Sequence, residues 1–160
     1  MIDTYMLSSD FTLVSGGQAG ADSAALEWAI VHGVAHGGWC PKGRRSEAGP
    51  IDDRYRLVET PSASYLQRTE WNVRDSDATV IFTLGEVLEG GSKRTAQFAD
   101  KHGKPWLHFR RGVHPKFLAR FLATHGVRVL NVAGKRASTS PGIERLVAQT
   151  LDGSLGRADS

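Results

Sequence analysis

Short apolar runs alternate with amphipathic stretches along most of the chain. The apolar runs, each typical of a β-strand, occupy 11–15, 34–40, 78–84, 105–109 and 127–132. Helical periodicity, helix starts or helix-ending glycines place helices at 21–32, 60–75, 92–102, 115–125 and 140–151. The run at 78–84 is apolar throughout, as in a strand buried on both faces of a parallel sheet. This alternation predicts an α/β fold with about five mainly parallel strands and helices on both faces.

The 160 residues are a one-domain length. We expect a single ligand-binding domain over 1–152 and a flexible C-terminal tail over 153–160, where the sequence is small and polar. The connection at 41–59 is long and polar and contains two Pro and two Gly, which is typical of a functional or mobile segment.

Composition excludes several classes of protein. Hydrophobic residues make up 40% and charged residues 23%, which argues against a disordered or fibrous chain. No apolar run is long enough for a membrane span, and the first ten residues lack the basic start of a secretory signal. Cys40 is the only cysteine, so neither an internal disulfide nor a cysteine-based zinc site is expected. We therefore expect a cytoplasmic protein.

Charge is distributed unevenly around a net value of +3. Residues 93–136 contain eleven Lys and Arg residues but a single acid, Asp100. Such asymmetry favours an anionic partner, although a solvated basic helix face would give the same pattern. Both interpretations stay open at this point.

Glycine-rich turns follow the first predicted strand and two later ones. In parallel sheets ligands bind outside the carboxyl ends of the strands, so these turns are the candidate binding loops. The first, at 15–23, contains three glycines and leads into a helix, where free backbone N–H groups can hold a phosphate or another oxyanion. It matches neither the GxGxxG nor the Walker A pattern. Asp22 in this loop could stabilise the helix start or accept hydrogen bonds from a pterin or guanine ring.

The second turn contains Gly90 and Gly91, and the third runs from 133 to 142 with two cations and several hydroxyl groups. Three such turns at one sheet edge predict an extended phosphorylated ligand. On the helix between them, the position of Arg68 is typical of a solvated face, whereas Thr69 and Asn72 lie beside the apolar stripe.

Catalytic signatures are weak. The sequence contains neither a GxSxG nucleophile motif nor an HExxH or HxH metal-ligand pattern. Cys40 ends the second predicted strand on the ligand side, where a buried thiol is more common than a reactive one.

Four segments together resemble one known family: SGGQAGAD at 15–22, RTEWNVRDSDATVIFT at 68–83, GGS-x-x-T at 90–95 and VLNVAGKRAS-x-x-PGI at 129–143. They are similar to the circularly permuted YpsA-like branch of the SLOG superfamily, whose members are described as molybdenum cofactor carriers. The resemblance extends from residue 11 to residue 151. It implies a Rossmann-like, three-layer α/β fold related to the LOG proteins, and assembly into a homo-oligomer.

The resemblance also implies that molybdenum cofactor is bound without turnover and passed to molybdoenzymes or received from cofactor-synthesis proteins. It assigns cofactor contacts to three loops and one helix. The implied contact residues are Gly16, Gly17, Gln18, Gly20, Ala21, Asp22, Thr69, Asn72, Gly90, Gly91, Ser92, Thr95, Gly134 and Ser138. No catalytic residue and no structural metal is implied.

Two alternatives belong to other functional classes. The related LOG hydrolases carry a PGGxGTxxE signature, and this chain lacks both its Pro and its Glu, which argues against cleavage of nucleoside monophosphates. A nucleotide-processing enzyme would need Glu70, Glu86 or Glu89 as the acid or base. A module for single-stranded nucleic acid would combine the basic stretch with Trp106 and His108, and this possibility ranks last.

Overall fold

The structure, a computed structural model, describes residues 2–157. Its elements in chain order are β1 (Tyr5–Leu7), β2 (Thr12–Val14), α1 (Ala21–Val31), β3 (Ala35–Gly37), β4 (Trp39–Cys40), β5 (Arg45–Ser46), β6 (Gly49–Pro50), β7 (Val58–Glu59), α2 (Tyr65–Arg74), β8 (Ala78–Thr83), α3 (Gly90–Lys101), β9 (Trp106–Arg110), α4 (Lys116–His125), β10 (Val129–Gly134), α5 (Ile143–Ser154) and β11 (Leu155–Arg157). The predicted α/β class is confirmed.

Five parallel strands form the central sheet in the spatial order β3–β2–β10–β8–β9. If β10 is numbered first and the count then continues with β2, β3, β8 and β9, the spatial order becomes 3-2-1-4-5, as in the Rossmann fold. A short parallel pair of β1 and β11 joins the two ends of the described chain, with Tyr5 opposite Leu155. The order therefore corresponds to a Rossmann sheet whose chain starts at a different strand.

The main hydrophobic core contains alternate residues of β8, namely Ala78, Val80 and Phe82, together with apolar residues of α1, α4 and α5. Helices α1 and α4 both contact α5, whereas α2 and α3 contact each other. The helices therefore form two groups. The three-layer sandwich remains a prediction.

The strand predicted at 34–40 is divided in two. Gly38 has φ +126, a conformation that glycine adopts readily, and it separates β3 in the main sheet from β4. Strand β4 pairs with β7 instead, so Cys40 lies outside the main sheet. The polar connection at 41–59 contains β7 and the antiparallel hairpin of β5 and β6. We call residues 41–59 the strap.

Three predicted helix boundaries are wrong. Helix α2 begins at Tyr65, where the Ser64 hydroxyl accepts the Leu66 N–H, and not at Thr60. Thr60 instead donates its hydroxyl to the Ser62 carbonyl. Helix α3 begins two residues earlier than expected, and α5 begins three residues later, after the left-handed Gly142.

The flexible tail predicted at 153–160 is wrong for residues 153–157. Helix α5 continues to Ser154, and the next three residues form β11. Leu155 is buried against the core, which explains why this small polar segment is ordered. Residues 158–160 lie outside the described part of the chain. Within residues 2–157, no helix is both long enough and apolar enough to cross a membrane.

Candidate functional site

A cleft of about 120 Å³ opens at the carboxyl edge of the central sheet. It lies between the first glycine loop, helix α2, the start of α3 and the turn that follows β10. Gln18, Asp22, Arg68 and Gly91 are among the residues that line it. The cleft thus forms where the three glycine turns and the predicted contact helix meet.

A buried ion pair crosses the inner wall of the cleft. The Nη1 atom of Arg68 lies 3.5 Å from Oδ2 of Asp22, and these side chains are only 12% and 5% exposed. The Gln18 backbone N–H donates to the same carboxylate oxygen at 3.2 Å. Burial raises the pKa of Asp22 more than Arg68 lowers it, and burial also lowers the pKa of Arg68. Arginine nevertheless stays protonated in proteins, so Arg68 brings a positive charge into the cleft.

The absence of a side chain at Gly16 gives Arg68 its position. A Cβ atom on Gly16 would lie 2.5 Å from both Cδ and Nη1 of Arg68. The arginine side chain therefore lies directly across the first glycine loop. The expectation that Arg68 faces solvent is wrong, because the first glycine loop covers its side chain.

Three buried side-chain atoms near the cleft have no hydrogen-bond partner: Oε1 of Gln18, Nε of Arg68 and Oγ of Ser92. They are the buried side-chain polar atoms without a partner among the described residues. Buried polar groups are nearly always hydrogen-bonded. Gln18 and Arg68 line the cleft and Ser92 follows the cleft-lining Gly91, so these unpaired atoms make the cleft the candidate site for a polar ligand.

The mouth of the cleft combines cations with an aromatic surface. Arg94 and Arg136 line it, and the Arg136 guanidinium lies 4.8 Å from the centre of the Tyr65 ring. Tyr65 is 37% exposed and its neighbour Leu66 is 49% exposed. A ligand that enters with an anionic end can therefore rest a flat ring against the outer rim.

The predicted contact residues fall into two sets. One set lines the cleft or the small cavity adjoining it, and comprises Gly16, Gln18, Asp22, Thr69, Asn72, Gly91, Thr95 and Gly134. Thr69 and Thr95 each donate their hydroxyl to a backbone carbonyl one turn earlier, at Tyr65 and Gly91. Each hydroxyl oxygen keeps its capacity to accept.

The second set lies around the cleft without lining it, and comprises Gly17, Gly20, Ala21, Gly90, Ser92 and Ser138. Gly17 has φ +80, and its added Cβ would meet Leu57 of the strap at 2.7 Å. Ser138 donates its hydroxyl to Glu47 of the strap at 2.6 Å. Gly17 thus leaves room for the strap against the first loop, and Ser138 binds the strap to the third turn.

Asn72 has a structural task although it borders the adjoining cavity. Its Nδ2 donates to the Trp39 carbonyl at 2.9 Å, and its Oδ1 accepts the Trp39 N–H at 2.8 Å. Both ends of the amide are therefore used to fix β4 against α2.

The family model described as the circularly permutated YpsA SLOG family matches residues 13–155. The chain belongs to this family. It is also similar to a crystal structure described as "Putative molybdenum carrier protein" from Syntrophus aciditrophicus SB, with 42% sequence identity and a TM-score of 0.83. That match covers 88% of this chain and 92% of the other. No curated protein matches this chain.

Six residues that line this SLOG cleft are not among the contacts predicted from the sequence: Tyr65, Leu66, Arg68, Arg94, Ala133 and Arg136. A signal for two of them was present, since Arg94 and Arg136 lie within the basic stretch next to the second and third glycine turns. The position of Arg68 depends on the loop that crosses it, which helical periodicity does not encode.

The carboxylates considered for catalysis lie elsewhere. Glu70 binds Lys101 and His102 at the contact of α2 and α3, which lowers its pKa. Glu86 and Glu89 are 81% and 74% exposed and lie near basic residues outside the cleft. Asp22 is the carboxylate that lines the cleft within residues 2–157.

A roomier cavity of about 490 Å³ lies between α1 and α5, away from the glycine turns. Its walls carry Glu27, Glu144 and Asp152 around an apolar floor. Among the described residues three acids and no Lys or Arg line this cavity, and Arg54, outside it, pairs with only one of these acids, Glu27. The cavity is therefore less suited to an anion, and the smaller cleft is the better candidate for the SLOG ligand site.

Proposed function

We propose that this SLOG protein binds molybdenum cofactor, or a similar phosphorylated pterin or nucleotide, and carries it without changing it chemically. The observation that carries the proposal is the buried Arg68 cation, whose Nε has no partner at the edge of a glycine-lined cleft. The description of the Syntrophus aciditrophicus neighbour as a putative molybdenum carrier supports the choice of cargo.

The chemistry of the cleft suits such a cargo. Molybdenum cofactor is a polyanion, with a phosphate and an oxo-metal centre attached to a pterin ring rich in hydrogen-bond donors. Arg68, Arg94 and Arg136 offer positive charge and N–H donors, while Gln18 and Asp22 offer acceptors. Both halves of the ligand therefore have complementary groups in this chain.

The size of the cleft sets how much of the ligand is enclosed. Pockets for drug-sized ligands have volumes of about 300–1,000 Å³. The cleft, at about 120 Å³, is well below that range, so it encloses the anionic end and only the ring atoms next to it. The rest of the ring then lies against the exposed surface of Tyr65 and Leu66, from which a recipient protein can collect it.

The arrangement of carboxylates supports binding without turnover. Asp22, the acid at the cleft, is already engaged by Arg68 and by the Gln18 N–H. The glutamates available to a nucleotide-cleaving enzyme do not line the cleft, and each is paired with a basic residue outside it. This observation favours a carrier over the enzyme alternative.

Titration calorimetry with purified molybdenum cofactor tests the proposal, with inorganic phosphate as the reference anion. We expect the wild-type protein to bind the cofactor more tightly than phosphate, and the recovered cofactor to be unchanged. In a parallel incubation, nucleoside monophosphates should stay intact. If the wild-type protein releases base from the nucleotides and Glu86→Gln or Glu89→Gln does not, the protein is an enzyme and the carrier proposal is wrong.

A further inference from the structure

Gln18 is held in one orientation by the strap. Its side chain is buried, and its Nε2 donates to the backbone carbonyl of Arg45 at 3.0 Å. A carbonyl oxygen can only accept, so this bond identifies which end of the amide is nitrogen. The oxygen, Oε1, is consequently the end of the amide that the Arg45 carbonyl does not bind.

No group among the described residues donates to Oε1 of Gln18. The backbone N–H of the same residue is directed to Asp22. A buried acceptor without a donor is costly, and Gln18 lines the cleft, so a ligand held there can supply the missing donor. Gln18 and Asp22 thus make one wall of the cleft an acceptor surface.

This wall differs from the cationic groups around it. A fully ionised oxyanion carries acceptors alone and would meet Gln18 Oε1 and the Asp22 carboxylate without forming a hydrogen bond. A ligand with an N–H beside its anionic group would satisfy Gln18 and still bind Arg68. We infer that Gln18 is a specificity-determining residue, which selects phosphorylated ligands whose ring carries an N–H donor over plain anions of the same charge. This inference rests on the proposed function of the same cleft.

Two bicyclic phosphates distinguish the effect of an N–H donor from the effect of the anionic group, because both carry a phosphate and only one carries an N–H. 6-Hydroxymethyl-5,6,7,8-tetrahydropterin phosphate carries an N5–H group next to the ring carbon that bears the phosphate arm, whereas 2-naphthylmethyl phosphate has a fused bicycle of similar size and no N–H. The measured quantity is the preference, the ratio of the two dissociation constants from titration calorimetry. We expect the wild-type protein to prefer the pterin.

Two substitutions of Gln18 then isolate the role of Oε1. Gln18→Met removes the acceptor and the Arg45 contact together, and should reduce the preference roughly tenfold or more. Gln18→Glu also loses the donor to Arg45 but keeps an acceptor. It should bind both probes more weakly because of its charge, with the preference retained. The two variants thus share the damage to the strap and differ in the acceptor.

The possible outcomes are distinct. A preference that survives in Gln18→Met overturns the inference, as does an equal loss in both variants, which would assign the effect to the Arg45 contact. If the wild-type protein binds the two probes with equal affinity, that result alone overturns the inference. Failure of the wild-type protein to bind either probe, or molybdenum cofactor itself, instead defeats the proposed function on which the inference rests.

Discussion

Nη1 of Arg68 lies 3.5 Å from Oδ2 of Asp22, and the pair joins helix α2 to the start of α1 beneath the glycine loop. Each charge is buried, and each reduces the cost of burying the other. The carboxylate does not saturate the guanidinium, whose Nε remains without a partner. The pair therefore compensates part of the cost of burying both charges, and it presents a cation to a ligand.

Replacing Arg68 should remove ligand affinity and stability together. Arg68→Met should weaken binding of molybdenum cofactor by roughly tenfold or more, since a hydrogen bond to a charged group is lost. It should also lower the free energy of unfolding by about 3–5 kcal/mol, because Asp22 becomes an unpaired buried charge. The double variant Arg68→Met/Asp22→Asn should regain much of that stability but not the affinity. Titration calorimetry and urea denaturation measure the two effects.

Arg74→Met is the matched control, since Arg74 lies on the same helix but is exposed and paired with Asp75. It should change the free energy of unfolding by less than about 1 kcal/mol and leave binding intact. Loss of affinity in both arginine variants would show that general positive charge, and not the buried guanidinium, holds the ligand.

Gly16→Ala should weaken ligand binding by displacing Arg68. The new Cβ would lie 2.5 Å from the arginine side chain, which must move away from the cleft. Gly16 does not have a left-handed conformation, so backbone strain adds nothing to this effect. Gly85→Ala serves as the control, because its Cβ would meet no atom within 4 Å. Equal calorimetric affinities for the two variants would contradict the position assigned to Arg68.

Gly91→Ala tests whether the second glycine turn touches the ligand. A Cβ at Gly91 would meet no protein atom within 4 Å, yet the residue lines the cleft. The methyl group should therefore occupy ligand space and reduce the affinity for molybdenum cofactor. Thermal stability should stay the same or rise slightly, since alanine favours a helix more than glycine does. Unchanged affinity would exclude this turn from the site.

Acid should weaken the contact between α2 and α3 through Glu70. Hydrogen bonds from Lys101 and then His102 lower the pKa of Glu70 below its usual 4.5. Its contribution to stability is therefore present above that pH and is lost as the pH falls through the folded-state value. Because Lys101 is largely exposed, this contribution should be about 0.2–1 kcal/mol.

Urea denaturation of wild type and Glu70→Gln at pH 7 and pH 3 measures this contribution. The variant should be less stable than wild type at pH 7 and nearly equal to it at pH 3. A difference that persists at pH 3 would mean that the carboxylate charge does not hold the two helices together.

The sequence predicted the α/β class and the five main strands because apolar runs and glycine turns are local signals. It also placed the three glycine turns at one sheet edge, since parallel strands end together, and residues of all three line the cleft. It did not predict the contact between Arg68 and Gly16 or the cover that Leu57 gives Gly17, because both join segments that are far apart in sequence. The pairing of Leu155 with Tyr5 likewise joins opposite ends of the chain, beyond the reach of local patterns.

Mass spectrometry and pterin fluorescence of small molecules released from the purified protein test the central claim most directly. The wild-type protein and the Arg68→Met/Asp22→Asn variant are purified side by side from cells that make molybdenum cofactor, and are then denatured. The account predicts that the wild type releases an intact phosphorylated pterin with its molybdenum, near one per chain, and that the variant releases almost none. Equal release from the two proteins, or no phosphorylated pterin from the wild type, would contradict it.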